Sequence, residues 1–155
     1  MQSNQFGEIV RSCWGDLPNH YTHVELGAFV IMPNHIHGII HLIDTQPVEA
    51  DFVRAGLRPA PTNIRHGLSE IIRAFKSFSA RKINELRATP GLHLWQRNYY
   101  EHIIRSEKAL AHIQEYILTN PLRWPLDREN PARCITDDFD RWLETQGNKP
   151  FCGSG

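Results

Sequence analysis

The sequence predicts an α+β domain, with helices packed on an antiparallel sheet, and three observations carry that reading. Two β-rich runs, HVELGAFVIM (23–32) and HIHGIIHLI (35–43), are separated only by Pro33-Asn34, a turn signal. Residues 23–43 therefore read as a hairpin. Stretches with helical period lie on either side of it, at 6–15 and 68–86. The chain has 155 residues and three scattered cysteines (Cys13, Cys134, Cys152). That length suits one domain able to bury a core without disulfides.

In chain order, Phe6, Ile9, Val10, Cys13 and Trp14 recur at i, i+3, i+4, i+7 and i+8. Asn4 is the candidate cap, and Gly15 and Pro18 end the helix. The hairpin follows. Residues 44–66 are polar, rich in proline and glycine and without a period, so they read as a long surface loop. In 68–86 the residues Leu68, Ile71, Ile72, Phe75, Phe78, Ile83 and Leu86 line one helix face, with Arg73, Lys76, Ser77, Arg81 and Asn84 toward the other. Residues 88–94 form a Thr-Pro-Gly turn, and QRNYYEHIIR (96–105) reads as a further strand. Ser106 caps a helix that ends near Asn120, because Pro121 disfavours helical geometry in the residue before it. The tail is acidic and turn-rich, with a short helix expected at Asp138–Glu144. The division is a domain at 1–130 and an acidic tail at 131–155.

Seventeen basic and seventeen acidic residues give a net charge of zero, which argues against coating nucleic acid by bulk electrostatics. The charge is uneven, however. Residues 65–87 carry six basic side chains against two acidic ones, and 127–144 carry six acidic against three basic. One anion-facing surface is implied, with a solvated helix face as the plain alternative. No apolar run is long enough to span a bilayer and no signal peptide opens the chain. Few cysteines suit a reduced, cytoplasmic setting.

His35 and His37 stand two apart on a strand, so both imidazoles point to one face at a spacing suited to one cation. With nine histidines in the chain, simple hydrogen bonding is the alternative. His41 continues the same face. Tyr116 and Asn120 stand four apart near the end of a helix, with His112 one turn earlier. On their own they read as a packed ring and a C-cap before Pro121, with a nucleophile beside a metal ligand as the alternative.

Taken together, FVIMPNHIHGIIHLI, FKSFSARKINELR and WQRNYYEHIIRSEKALAHIQEYILTNPLRW resemble the IS200-like transposases, specifically the REP-associated tyrosine transposases, over residues 6–130. PNHIHG resembles the family's HUH motif and EYILTNP its tyrosine motif. The resemblance implies a ferredoxin-like sheet and metal-dependent cleavage and rejoining of single-stranded DNA at hairpin-forming repeats. His35 and His37 match the metal pair, Asn120 the third ligand and Tyr116 the nucleophile, with Mg²⁺ or Mn²⁺ as the expected cofactor. Tyrosine is a weak nucleophile at its ordinary pKa, and His102 or His112 is a candidate base, with packing as the alternative. Arg73, Lys76, Arg81 and Lys82 would track phosphates, and Tyr99 and Tyr100 beside Arg97 would stack unpaired bases.

Members of that family normally begin with a central strand, which this sequence lacks before its first helix. The expected consequence is a gap beside the histidine strand, filled by the tail or by a second copy in a homodimer, or else left open in a marginal monomer prone to aggregation. The rival expectations are a hairpin-DNA-binding module that has lost catalysis and an unrelated metal hydrolase using His35 and His37.

Overall fold

The computed structural model describes residues 4–43, 66–127, 129–133 and 138–145. Residues 44–65 of the loop expected at 44–66, Cys134 and Cys152 lie outside them. Helix α1 (Gln5–Gly15) begins where expected, its Asn4 cap accepting the Gly7 N–H at 2.9 Å. A second helical turn that the sequence reading omits, α2 (Leu17–His20), follows at once with Pro18 in its first turn. Strands β1 (Val24–Ile31) and β2 (Ile36–Leu42) form a two-stranded sheet. It is closed at the turn by the Met32 N–H on the His35 carbonyl at 2.9 Å. Next come α3 (Leu68–Arg87), α4 (Glu107–Thr119) and α5 (Asp138–Thr145). Two 3₁₀ turns, Asn120–Leu122 and Trp124–Leu126, follow α4 directly. The class is α+β with an antiparallel hairpin, consistent with part of a ferredoxin-like fold. The first strand of such a sheet has no counterpart among the described residues.

Residues 96–105 are the correction. They form no strand, although His102 and Ile104 are half-buried while Glu101, Ile103 and Arg105 are exposed. The alternation that a strand would show is present, but a strand also needs a ladder partner. None of the described residues supplies one.

The chain divides into two compact units. One comprises 4–26 and 40–94, and its core is built by α1 and α3. Trp14 meets Phe75 edge-on at 5.4 Å, with Ile71, Ile83, Val10 and Leu17 buried in the same unit. The buried stripe of α3 runs through Ile71, Phe75, Ser79 and Ile83, at four-residue spacing. Phe78 (48% exposed) and Leu86 (47%) lie off it, against expectation. Ser79 is tolerated inside because its hydroxyl donates to the Phe75 carbonyl at 2.7 Å. Asn84 is also buried, and its amide donates to the Leu92 carbonyl at 2.7 Å, tying down the turn after the helix. Ala88 ends α3 with a left-handed φ of 54°, a conformation glycine usually takes.

The other unit comprises 27–39 and the chain from Trp95 onward. Its core joins Ile39 of β2 to Tyr116 and Ile117 of α4, with Ala28, Val30, Ile104, Leu110, Ile113 and Trp142 packed around them. Ser106 caps α4 as expected, accepting the Ala109 N–H at 3.2 Å.

Phe75→Ala should destabilise the protein by about 3–5 kcal/mol, as truncation of a fully buried aromatic does. Phe78→Ala should stay within about 0.5 kcal/mol of wild type. Urea unfolding of both variants checks the position of the stripe.

Candidate metal centre

Side chains alternate along β2, so His35, His37 and Ile39 share a face. Ile39 is covered by α4, and that contact brings Tyr116 over the same face. The Tyr116 ring stands edge-on to the His37 ring at 5.4 Å between centroids. Tyr116 is 9% exposed, so its ring sits within the core rather than on an open surface. One turn later, Asn120 closes α4 and is almost fully buried. The 3₁₀ turns then carry the chain back past the histidines. Trp124 lies 6.0 Å from the His35 ring, and Asp127 is buried beside both imidazoles.

Three atoms converge. His35 Nε2 lies 2.9 Å from His37 Nε2, and Asp127 Oδ2 lies 3.7 and 3.8 Å from them. A triangle with those sides has a point about 2.0 Å from every corner, the distance at which divalent ions take imidazole and carboxylate ligands. The side chains of His35 and His37 are 12% and 26% exposed, and that of Asp127 is 0% exposed. Asp127 Oδ2 and both amide atoms of Asn120 have no hydrogen-bond partner, although all are buried. Orphaned polar atoms are rare in a folded interior. Three such atoms beside two imidazoles fit a bound cation.

A chain of hydrogen bonds surrounds the cluster. The Glu129 N–H donates to Asp127 Oδ1 at 2.7 Å, Asn34 Nδ2 donates to the Glu129 carbonyl at 2.7 Å, and Asn34 Oδ1 meets His35 Nδ1 at 2.8 Å. Burial pushes the Asp127 carboxyl up, but the opposing pulls are together larger. His37, the Glu129 N–H, the charge of His35 and the nearby Asn120 amide hold its pKa down to about 2.

Asp127 is the site residue that sequence reasoning missed. It stands among six acidic residues at 127–144, where nothing distinguishes it from tail charge. The only local signal is its place directly after Trp-Pro-Leu, the second of the two 3₁₀ turns that deliver it to the cluster.

The remaining predicted residues fall elsewhere. His102 and His112 both pack on Trp142, with centroids at 6.5 and 4.5 Å. On α3, Arg73 is exposed and pairs with Glu70 at 3.7 Å, and Arg81 lies over the Phe78 ring at 5.6 Å. Lys76 is half-buried, which lowers its pKa. Lys82 is exposed and lines a cavity of about 480 Å³ with Cys13, Asp16, His20 and Phe78. Arg97, Tyr99 and Tyr100 are exposed. Burial and the bond to Glu101 at 3.1 Å raise the Tyr99 phenol, keeping it protonated.

No protein-family model matches the chain, and no solved structure matches it. Two Haemophilus influenzae proteins do. An uncharacterized one is 40% identical over 134 residues, covering 83% of this chain and 71% of that protein. The chain belongs to the family of that protein. A second, provisionally named a REP-associated tyrosine transposase, is 30% identical over 113 residues. That match covers 73% of this chain, which spans only 57% of the second protein's length. The family is thereby linked, at a distance, to transposase-related proteins.

Because the Asp127 pKa lies below its value of roughly 3.9 in an unfolded chain, its contribution to stability is complete above about pH 4. It is lost as pH falls toward 2. Asp127→Asn should flatten this part of the profile. Urea midpoints of the metal-free protein from pH 5 to pH 2 should drop more steeply for wild type than for the variant.

Proposed function

We propose that the protein is a metal-dependent tyrosine enzyme that cuts and rejoins single-stranded DNA at hairpin-forming repeats, acting in the cytoplasm. The observation that carries this reading is the placement of the Tyr116 ring against His37, at the edge of a three-atom donor set. A phosphodiester resists attack because its anionic oxygens repel the nucleophile. A divalent cation held by His35, His37 and Asp127 would offset that charge and orient the phosphate for in-line displacement. Asn120, buried beside them with its amide unpartnered, is the candidate fourth ligand. Mn²⁺ suits two imidazoles and a carboxylate better than Mg²⁺, which prefers oxygen ligands and water.

The Tyr116 oxygen attacks phosphorus, the bond from phosphorus to the 3′ oxygen breaks, and the 5′ phosphate stays on the tyrosine. In the net step, the tyrosine proton is replaced by one on the released 3′-hydroxyl. The phosphotyrosine keeps an ester bond, so a 3′-hydroxyl reverses the reaction without ATP. Arg73, Lys76, Arg81 and Lys82 supply cationic contacts to the strand. Tyr99 and Tyr100, beside Arg97, offer exposed rings to unpaired bases.

A second reading has specific support in Asp127. Two imidazoles and a carboxylate also suit hydrolysis in which water, not tyrosine, attacks. Incubation with Mn²⁺ and a labelled single strand bearing a hairpin separates the readings. The tyrosine mechanism leaves the 5′ end covalently attached to protein, and Tyr116→Phe loses adduct and nicking while retaining strand binding. Undiminished nicking by Tyr116→Phe would establish the hydrolytic reading. Strand binding with neither nick nor adduct would leave a DNA-binding module.

A further inference from the structure

We infer that Asn34 is a positioning residue that fixes the tautomer of His35 and ties it to the segment bearing Asp127, an inference that rests on the metal reading above. The Glu129 carbonyl can only accept, so the Asn34 group 2.7 Å from it must be the amide nitrogen. That assignment turns the Asn34 oxygen toward His35 Nδ1, at 2.8 Å. An amide oxygen has no proton to give, so His35 Nδ1 carries the hydrogen and donates it. In the neutral ring Nε2 is then unprotonated, and it is the atom that accepts from His37 Nε2 at 2.9 Å and faces Asp127. A carbonyl 95 positions away in sequence from Asn34 thus determines which nitrogen of His35 carries the proton.

The same bonds hold the carboxylate. Glu129, which accepts from Asn34, donates its own N–H to Asp127 Oδ1 at 2.7 Å. This occupies one carboxylate oxygen and leaves Oδ2 directed at the imidazoles. Asn34 therefore links two ligands that come from the hairpin turn and from the segment after α4. Outer partners of this kind commonly change metal affinity by about 10–100-fold when removed. Asn34 is exposed in the hairpin turn, so replacing it should not empty a core.

Nitrogen-15 NMR of the histidine rings in the metal-free full chain, with Mn²⁺ titration by calorimetry, tests this role. Wild-type His35 should show the Nδ1–H tautomer. Asn34→Ala should mix the tautomers and weaken Mn²⁺ binding by about 10–100-fold, with the helical circular dichroism unchanged. Asn34→Asp keeps an acceptor for Nδ1–H but not a donor for Glu129. It should retain the tautomer while losing part of the affinity. Asn34→Ala with wild-type tautomer and wild-type affinity would overturn the role of Asn34 alone. Wild-type protein that binds no Mn²⁺ would overturn the metal reading and this role with it.

Discussion

The contact on which the site depends is the seating of Ile39 against Tyr116 and Ile117. A strand repeats every two residues, so the face that buries Ile39 is also the face that carries His35 and His37. An α-helix repeats about every four, so the turn that buries Tyr116 also presents Asn120 one step along. Docking one apolar residue of β2 under α4 therefore brings two imidazoles, a phenol and an amide together without any polar attraction among them. Burial of apolar surface supplies the driving force, and the polar groups are carried into place by their spacing.

The cluster itself is a poor device for stability. The Asp127 carboxylate recovers its lost hydration mainly through the Glu129 N–H and the two imidazoles. In the metal-free protein its charge is thus held in part by imidazoles that also crowd it at 3.7 and 3.8 Å. The buried amide of Asn120 without partners adds to the cost. Local arrangements that conflict with good packing mark functional sites in proteins that otherwise pack well. In this unit the conflict is confined to the residues whose donor atoms converge, and the surrounding core of Ile39, Ile117, Val30 and Ile113 shows none.

Much of this was legible in the sequence because it rests on local rules. The hairpin followed from two β-rich runs around Pro33-Asn34, and α1 and α4 from Asn4 and Ser106 caps before periodic apolar residues. The short helix expected at Asp138–Glu144 is α5 (Asp138–Thr145). The failures have nonlocal causes. Residues 96–105 have the alternation of a strand, but strand formation depends on a partner that a single segment cannot reveal. Phe78 and Leu86 read as core, yet the stripe passes through Ser79, whose hydroxyl donates to a helix carbonyl, and Asn84 is buried beside Ile83 with its amide N–H on the Leu92 carbonyl. Asp127 was hidden for a third reason. Its role arises from the two 3₁₀ turns at Asn120–Leu122 and Trp124–Leu126, a backbone path that no periodicity encodes.

The central claim is that His35, His37 and Asp127 hold one cation beside Tyr116. Anomalous diffraction at the manganese edge from crystals grown with Mn²⁺ tests it most directly. The account predicts a single strong peak within about 2.2 Å of His35 Nε2, His37 Nε2 and Asp127 Oδ2, on the side of the cluster that Tyr116 borders. Manganese bound elsewhere, or a cluster that stays empty with its imidazoles hydrogen-bonded to each other at saturating Mn²⁺, would contradict it.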